Sequence, residues 1–266
     1  MMQPKIITLT TDFGTSDTYL AQMKGVILSI NPKAMIIDIT HSISPQNIRE
    51  AAFIFSTAYR YFPKGTIHVV VIDPGVGSER KALLVQTDNY YFLAPDNGVL
   101  SYVIQNEHTK HLIQLENRKY FLPSVSSTFH GRDIFAPAAA HLSLGIPATK
   151  FGPAAEKLIK FPIPEPGIID TQIYGHILHI DHFGNIITDI SKAFWNQTIG
   201  KKKFSIVIGK KKINRIVETF AEGNPGDIIA YFGSTEFLEI AIVNGNAVAT
   251  LNIAMDEPII IKTDLP

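Results

Sequence analysis

The sequence predicts a two-domain α/β protein, with a mostly parallel α/β sandwich domain over residues 1–162 and a small β-barrel domain over residues 170–266. In the first half, apolar β-branched runs alternate with segments of helical spacing, which favours a parallel sheet with right-handed crossovers. In the second half, short apolar runs are separated by Gly and Asn turns, which is typical of a small barrel or sandwich. The boundary follows from F-P-I-P-E-P-G (161–167), whose prolines exclude a regular helix or a central strand.

The elements of the first half follow from hydrophobic periodicity and from turn residues. Asp17 is a candidate N-cap of the first helix, Pro32 ends that helix, and the pair Asp88-Asn89 predicts the turn of a hairpin. The predicted strands cover residues 5–10, 34–40 and 69–72, the helices cover 17–30 and 46–60, the hairpin covers 81–95, and two further helices lie within 96–104 and 129–142.

The second half is predicted to contain short strands and turns alone. Its lysine groups at 201–203 and 210–212 flank one apolar strand and are interpreted as solvated strand ends, which commonly carry Lys against edge pairing. The predicted strands are 173–180, 185–190, 204–208, 213–218, 227–232, 237–243, 247–253 and 258–262.

Composition excludes several classes of protein. Lys+Arg and Asp+Glu both total 24 in 266 residues, so the formal net charge is zero, which argues against nucleic acid or an anionic membrane as the main partner. The chain has no cysteine, so disulfides, thiolate metal sites and a cysteine nucleophile are all excluded. The N-terminus leads into a strand rather than a signal peptide, and we expect a cytoplasmic protein.

The stretch I-H-V-V-V-I-D-P-G-V-G-S-E-R (67–80) is the strongest local signal of a functional site. A buried β-branched run stops at Asp73, a glycine-rich bend follows, and Arg80 comes seven residues after the aspartate. Open α/β sheets present their functional groups at the carboxyl ends of strands in this way. Asp73 and Arg80 are therefore expected to face each other, either as functional groups or as a structural ion pair.

Three further segments carry candidate groups, each with a structural alternative. Asp12 in T-T-D-F-G (10–14) follows a strand and suits the hydroxyls of a ribose, unless Asp12 or Asp17 caps the next helix. His130 in F-H-G-R-D (129–133) is a candidate proton acceptor, or else is satisfied locally by Asp133. The turn D-H-F-G-N (181–185) either clamps a flat base or is a hairpin corner.

Other classes of site lack a signature in this sequence. G-x-G-x-x-G does not follow the first strand and a phosphate-binding loop motif is missing, so a phosphate-rich nucleotide is not indicated. The histidines at 176, 179 and 182 are spaced by three, which in a strand places them on alternating faces, and we predict no metal site. A G-x-S-x-G nucleophile elbow is also missing.

Taken together and in order, the motifs closely resemble the S-adenosyl-L-methionine (SAM) hydrolases that form adenosine, also called SAM hydroxide adenosyltransferases, which are relatives of the SAM-dependent fluorinase and chlorinase. The resemblance covers nearly the whole chain. It rests on T-T-D-F-G (10–14), T-H-S-I-S-P (40–45), Y-F-P-K-G-T-I (61–67), V-I-D-P-G-V-G-S-E-R (71–80), A-P-D-N-G-V-L-S (94–101), T-F-H-G-R-D-I-F-A-P-A-A-A (128–140), I-D-H-F-G-N-I-I-T-D (180–189) and L-E-I-A…G-N-A (238–247).

The resemblance implies an N-terminal α/β domain, a C-terminal β-barrel and a homotrimer that binds SAM between the N-terminal domain of one protomer and the C-terminal domain of its neighbour. It implies hydrolysis of SAM to adenosine and L-methionine with no cofactor and no metal. The set that acts on water falls on Asp73, Arg80 and His130. The implied substrate-binding positions are Asp12, Asp17, Phe129, Asp181, Phe183, Asn185, Ser234 and Glu239.

Two departures bear on the implied chemistry. The family's Asn-Ser-x-Gly before L-E-I-A is replaced here by F-G-S-T-E-F (232–237), so the methionine contacts in that segment differ from the family pattern. The halogenating relatives carry an aromatic residue at Asp73, a Tyr at His130 and no arginine matched to Arg80, which favours water over halide. We expect Arg80 to stabilise hydroxide, Asp73 to orient it and His130 to accept the proton. A halogenase and a SAM-binding module without turnover remain the alternatives.

Overall fold

The computed structural model describes residues 5–255 and 257–263. The chain divides into two compact units, residues 1–162 and residues 163–266. Among the described residues, no helix is long and apolar enough to cross a membrane.

The N-terminal unit is built on a six-stranded mixed sheet in the order β2-β1-β3-β5-β4-β6. Strands β2, β1, β3 and β5 run parallel to one another. Strand β4 is antiparallel to β5, as the predicted hairpin requires, and also to β6. The strands are β1 (Ile6–Thr11), β2 (Met35–Thr40), β3 (Ile67–Val71), β4 (Ala82–Thr87), β5 (Tyr91–Pro95) and β6 (Thr109–Gln114).

Helices cover both faces of this sheet. Since successive side chains of a strand point to opposite faces, one strand contributes to the core on each side. Val69 and Val71 of β3 pack in the core that includes α1 and α4, whereas Val70 packs in the core that includes α2 and α3. The helices are α1 (Tyr19–Ile30), α2 (Ile48–Ala58), α3 (Ser101–Asn106) and α4 (Ala136–Ser143), and a π-helical turn (Gly131–Phe135) precedes α4.

The helix boundaries differ from the predicted ones where a local hydrogen bond decides them. The predicted Asp17 cap of α1 is wrong, because Thr18 is the N-cap residue and makes no side-chain capping bond. The second helix begins at Ile48 rather than 46, because the Asn47 side chain accepts from the Glu50 amide at 3.1 Å and Gln46 has a φ of 65°.

The C-terminal unit contains two antiparallel sheets, in the orders β13-β14-β10-β9 and β12-β11-β15-β8-β7. Closure of these strands into a barrel stays a prediction. The strands are β7 (Gly167–Ile169), β8 (Gln172–Gly175), β9 (Ile177–Ile180), β10 (Ile186–Ser191), β11 (Phe204–Ile208), β12 (Lys211–Ile213), β13 (Ile228–Phe232), β14 (Phe237–Ile242) and β15 (Ile259–Thr263).

Two short helices in this unit correct the prediction of strands and turns alone. The segment predicted as a strand at 247–253 forms α6 (Ala247–Leu251), because the Asn246 side chain caps it by accepting from the Ala249 amide at 2.8 Å. Helix α5 (Lys192–Thr198) is capped in the same way by Ser191. The predicted strand at 213–218 is also wrong, since β12 ends at Ile213.

A fully buried histidine lies within the aromatic core of the N-terminal unit. His68 on β3 is 0% exposed, and its Nδ1 lies 2.8 Å from the hydroxyl oxygen of Thr8. Its ring stacks on Phe92 at 5.3 Å between centroids, and Phe55 and Tyr90 contact it edge-on. Burial lowers the pKa of His68 to about 3, so the ring is neutral in the folded protein at any ordinary pH.

The free energy of unfolding is therefore expected to fall as the pH drops below about 6.5. There the unfolded chain binds a proton at His68 that the folded chain binds only near pH 3, so acid favours the unfolded state. At pH 4.5, which is two units below the His68 pKa of the unfolded chain, this protonation lowers the free energy of unfolding by about 3 kcal/mol. Urea denaturation of wild type and His68→Leu at pH 7.5 and 4.5 measures it.

His68→Leu is expected to be less stable at pH 7.5 but to lose less stability between the two pH values. His108→Leu is the matched control, because the His108 side chain is 78% exposed, and it should keep the wild-type pH dependence. An equal pH dependence in wild type and His68→Leu would contradict the assignment.

Candidate active site

A cavity of about 570 Å³ opens at the carboxyl ends of β1 and β3 in the N-terminal unit. Asp12 directly follows β1, and Asp73 lies two residues beyond the end of β3. Because β1 and β3 are paired in parallel, with Thr11 opposite Val71, both carboxylates reach the same edge of the sheet. The volume lies within the usual range of small-molecule sites.

Arg80 connects the two other members of the predicted set through one guanidinium group. It donates to Asp73 twice, from Nε to Oδ1 at 2.9 Å and from Nη2 to Oδ2 at 2.5 Å. The same Nη2 donates to His130 Nδ1 at 2.6 Å. The side chains of Arg80 and Asp73 are only 10% and 6% exposed. The structure therefore brings Asp73, Arg80 and His130 together as a hydrogen-bonded trio, which we call the trio below.

The glycine-rich bend predicted between Asp73 and Arg80 holds Arg80 in this place. The Ser78 hydroxyl donates to the Gly75 carbonyl at 2.6 Å and accepts from the Arg80 amide at 3.3 Å. Gly77 has a φ of 77° and lies so close to the Ser127 carbonyl that a Cβ atom would clash with it. A residue with a side chain at Gly77 would therefore displace the bend that positions Arg80.

The hydrogen bond from Arg80 fixes the protonation state of His130. Since a guanidinium only donates, His130 Nδ1 must accept, and the proton of the neutral ring lies on Nε2. Burial and the Arg80 charge lower the pKa of His130, against the charges of Asp73 and Asp133 and a hydrogen bond to the Ser126 backbone. The ring is neutral at pH 7, and its only lone pair is already used.

The turn that carries His130 is held by a second ion pair. Asp133 is fully buried, accepts from Arg132 Nε at 2.7 Å and accepts from the Ser126 amide at 2.8 Å. Burial alone raises the pKa of Asp133, but the hydrogen bonds from Arg132 and Ser126 outweigh it and lower the pKa. The alternative that Asp133 satisfies His130 is wrong, because the ring is bonded to Arg80.

The Asp12 side chain is held by a contact with the backbone and does not cap a helix. Its Oδ2 accepts from the Gln46 amide at 2.8 Å. Asp17, the other proposed acid of this segment, is exposed on the bend before α1 and is outside the residues that line the cavity. Three aromatic rings, Phe13, Tyr19 and Phe129, line the cavity and pack edge-on at 5.3–6.0 Å between centroids.

His41 is a supporting residue to which the sequence analysis assigned no role. Its Nδ1 lies 2.8 Å from the Thr11 hydroxyl oxygen, and its carbonyl accepts from the Gly14 amide at 2.8 Å. These contacts bracket Asp12 on both sides along the chain. The signal available in the sequence was the position of His41 at the end of β2, next to the end of β1.

In the C-terminal unit, the D-H-F-G-N turn is organised by Asp181. Its Oδ1 accepts from the amides of Phe183 and Asn185 at 2.9 and 2.8 Å, and its Oδ2 accepts from Asn185 Nδ2 at 2.9 Å. This arrangement leaves the Phe183 ring 72% exposed while Asn185 is buried. The ring is thus presented outward on a rigid turn, as the stacking interpretation requires.

Glu239 is the buried acid of the same unit. It accepts from the Tyr231 hydroxyl at 2.5 Å, and burial raises its pKa. Gly233 lies where a Cβ atom would clash with the Glu239 carboxylate, so the F-G-S-T-E-F departure includes a glycine that this acid needs. Ser234 is exposed beside it. Within the described residues, no group of three or more His, Asp or Glu side chains is arranged to hold a metal ion.

Comparison with known proteins gives the relatives of this chain. The chain is 39% identical to an (R)-S-adenosyl-L-methionine hydrolase of Methanocaldococcus jannaschii, over 93% of this chain and 92% of the relative. A fluorinase of an Actinoplanes species is 28% identical over 89% of this chain and 90% of the relative. A crystal structure of an uncharacterized conserved protein from Thermotoga maritima superposes with a TM-score of 0.89 at 35% identity, over 96% of this chain and 99% of that chain.

Family matching covers both units. The N-terminal domain of the SAM hydroxide adenosyltransferases matches residues 7–152, and the C-terminal domain of the same family matches residues 175–260. These ranges contain the trio, Asp12 and the Asp181 and Glu239 clusters. The resemblance stated from the motifs is thereby confirmed, and the chain belongs to the SAM hydroxide adenosyltransferase family.

Proposed function

We propose that this chain hydrolyses SAM to adenosine and L-methionine, by attack of water or hydroxide on the ribose C5′. The observation that carries the proposal is the hydrogen-bonded Asp73–Arg80–His130 trio, since Asp73 and His130 line the cavity that Asp12 also lines. Relatives that bear the name SAM hydrolase are 31–39% identical to this chain over most of its length. The chain acts in the cytoplasm in this proposal.

Asp12 and the aromatic residues supply the binding contacts of the N-terminal unit. The Asp12 carboxylate accepts the hydroxyls of the ribose, as strand-end acids do in nucleotide-binding folds. Phe13, Tyr19 and Phe129 offer ring surfaces to the sulfonium cation, which aromatic rings attract through their quadrupole. Asp17 contacts the methionine moiety once the substrate is bound.

The trio supplies the nucleophile. The C5′–S bond breaks with its electron pair going to the methionine sulfur, which leaves as a neutral thioether and needs no acid. A bond forms from the water oxygen to C5′, and the water loses one proton. Arg80 stabilises the hydroxide character that develops on the oxygen, as preorganised cations do for developing anions. Neither step transfers electrons to a redox group, and we propose no cofactor and no metal.

The hydrogen-bond geometry favours Asp73 over His130 as the first acceptor of the water proton. Arg80 occupies the lone pair of His130 Nδ1, whereas a carboxylate has about four acceptor positions and Arg80 uses two of those on Asp73. His130 then acts by holding Nη2 of Arg80 in place. This assignment replaces our sequence-based expectation that His130 accepts the proton.

The same carboxylate argues against the halogenase alternative. Asp73 accepts a hydrogen from water but has only repulsion to offer a halide ion, because like charges near each other raise the energy of both. The fluorinase relatives are also less similar to this chain than the hydrolases are.

The proposal also includes a homotrimer. In it, the C-terminal unit of one protomer contributes to the site of a neighbouring protomer. This unit has the barrel form that the family resemblance implies. Asp181, Phe183 and Asn185 contact the adenine there, and Ser234 and Glu239 contact the methionine end. The exposed Phe183 ring on its rigid turn supports the stacking part of this proposal.

The purified protein is expected to convert SAM to adenosine and methionine in equal amounts, measured by liquid chromatography. Asp73→Asn keeps the shape of the side chain but weakens both the pairing with Arg80 and the acceptor for water. Its kcat should fall at least about 100-fold with little change in KM. The kcat of Arg80→Met should fall as far.

Asp88→Asn is the matched control, since Asp88 is an exposed hairpin residue, and it should keep the wild-type rate. Parallel reactions contain either a chelator, which should leave the rate unchanged, or 1 M chloride, which tests for halogenation. Chlorinated adenosine in preference to adenosine would establish the halogenase, and SAM binding without products would establish the binding module. A wild-type rate in Asp73→Asn would overturn the assignment of the trio.

The pH dependence of kcat should report the protonation of His130. Burial and Arg80 lower the pKa of His130 below 6.5, so kcat should be level from pH 8 to about 6.5 and should fall at lower pH. A proton on Nδ1 would replace the acceptor that Arg80 needs with a donor. In His130→Asn, whose amide oxygen also accepts from Arg80, the acid limb should move to lower pH. An unmoved acid limb would contradict this role.

Light scattering should give three times the chain mass of 29.4 kDa. Co-expression of Asp73→Asn with Glu239→Gln should restore activity that neither variant has alone. Mixed trimers contain sites that take the N-terminal unit from one protomer and the C-terminal unit from the other, both of wild-type sequence. A monomer, or the lack of recovery in a mixed trimer confirmed by mass spectrometry, would contradict the shared site.

A further inference from the structure

A second cavity, of about 330 Å³, borders His130 of the trio in the N-terminal unit. Its wall is formed in part by polar side chains and in part by the loop before His130. The residues that line it include Ser78, Arg118, Val125, Ser126, Ser127 and His130. By volume it holds on the order of ten water molecules, at about 30 Å³ each.

His130 and Ser126 line both this second cavity and the larger one described above. The two residues therefore form a partition between the cavities. The partition is held firmly, because the Ser126 amide donates to buried Asp133 at 2.8 Å and the Ser126 hydroxyl oxygen accepts from the Phe129 amide at 3.1 Å. Ser78, which lines the second cavity, accepts from the backbone amide of Arg80 at 3.3 Å through its hydroxyl oxygen.

Hydrolysis consumes one water per turnover at a place that the substrate covers. Asp73 and His130 line the larger cavity, so a bound SAM molecule closes the approach of water to them from that side. A water that reaches the trio while SAM is bound must then come from another side. The second cavity borders the trio at His130, and its serine hydroxyls offer the several polar partners that ordered water requires.

Charge distinguishes the two cavities. Asp12, Asp73 and Arg132 line the larger one, and the Arg132 charge is paired with buried Asp133, so this cavity suits a substrate with a sulfonium charge, whereas Arg118 lines the second. A cation at the wall repels a cationic substrate but admits neutral water. The second cavity is thus suited to keep water next to the trio and to exclude SAM.

We propose that the second cavity is the water reservoir of the reaction, from which the nucleophile reaches the trio past Ser126 and His130 while SAM fills the larger cavity. This proposal rests on the proposed hydrolysis of SAM. It assigns to the segment Ser126–Ser127 a part in supplying water, separate from binding the substrate.

The test fills the second cavity without touching the first. Val125 is 37% exposed, lines the second cavity and is outside the lining of the larger one, so Val125→Trp introduces bulk there alone. We expect kcat at saturating SAM to fall about tenfold with KM unchanged. We also expect kcat of the variant to fall further in concentrated betaine, which lowers water activity, while wild type is insensitive. Ser127→Phe, at a second exposed position of the wall, should behave alike.

Val125→Ala is the control, since it enlarges the cavity, and it should keep the wild-type kcat. A crystal structure of Val125→Trp shows whether the indole fills the cavity. A wild-type kcat with the cavity filled, or a raised KM with unchanged kcat, would overturn the proposal. If wild type itself releases no adenosine from SAM, the proposed function fails instead, so the two failures are distinguishable.

Discussion

The site depends on a single shared donor, Nη2 of Arg80, which bonds to Asp73 and His130 at once. A planar guanidinium that is held by a carboxylate on two nitrogens has little freedom to rotate, so the position of His130 follows from that of Asp73. Removing one member of such a nearly buried ion pair leaves an uncompensated charge, at a typical cost of about 3–5 kcal/mol. Stability and the arrangement for chemistry are therefore coupled in the same three residues.

The sheet transmits this constraint to the rest of the cavity. Every residue of β3 is buried, with side chains packed in the cores on both faces, so the strand end that carries Asp73 is fixed from two sides. The parallel register of β1 against β3 then sets the place of Asp12, because neighbouring strands lie about 4.8 Å apart. Asp12 and Asp73 are thus spaced by backbone pairing rather than by flexible side chains.

The sequence predicted much of this arrangement because the strands of the N-terminal unit are read from local periodicity. The ends of β1 and β3, and with them Asp12 and Asp73, follow from apolar runs that stop at a carboxylate. The partner of His130 was not predictable in this way, since Asp133 is three residues away in sequence but Arg80 is fifty away and is the one bonded. Helix α6 was missed because a five-residue apolar run has no clear period, and its Asn246 cap is also a turn residue.

In the proposed hydrolysis, the charge of the trio gives a reason for Asp73 to lie beside a cationic substrate. A lone arginine would repel the sulfonium and the ammonium of SAM, and in a partly dry cavity that repulsion is stronger than in water. Pairing with Asp73 cancels the positive charge of Arg80 for groups farther away. The N–H groups of Arg80 can still bond to an oxygen at close range. A developing hydroxide is attracted by these donors, whereas a free halide meets the Asp73 carboxylate first. In the proposed hydrolysis, the selectivity for water then follows from the same ion pair that holds the site together.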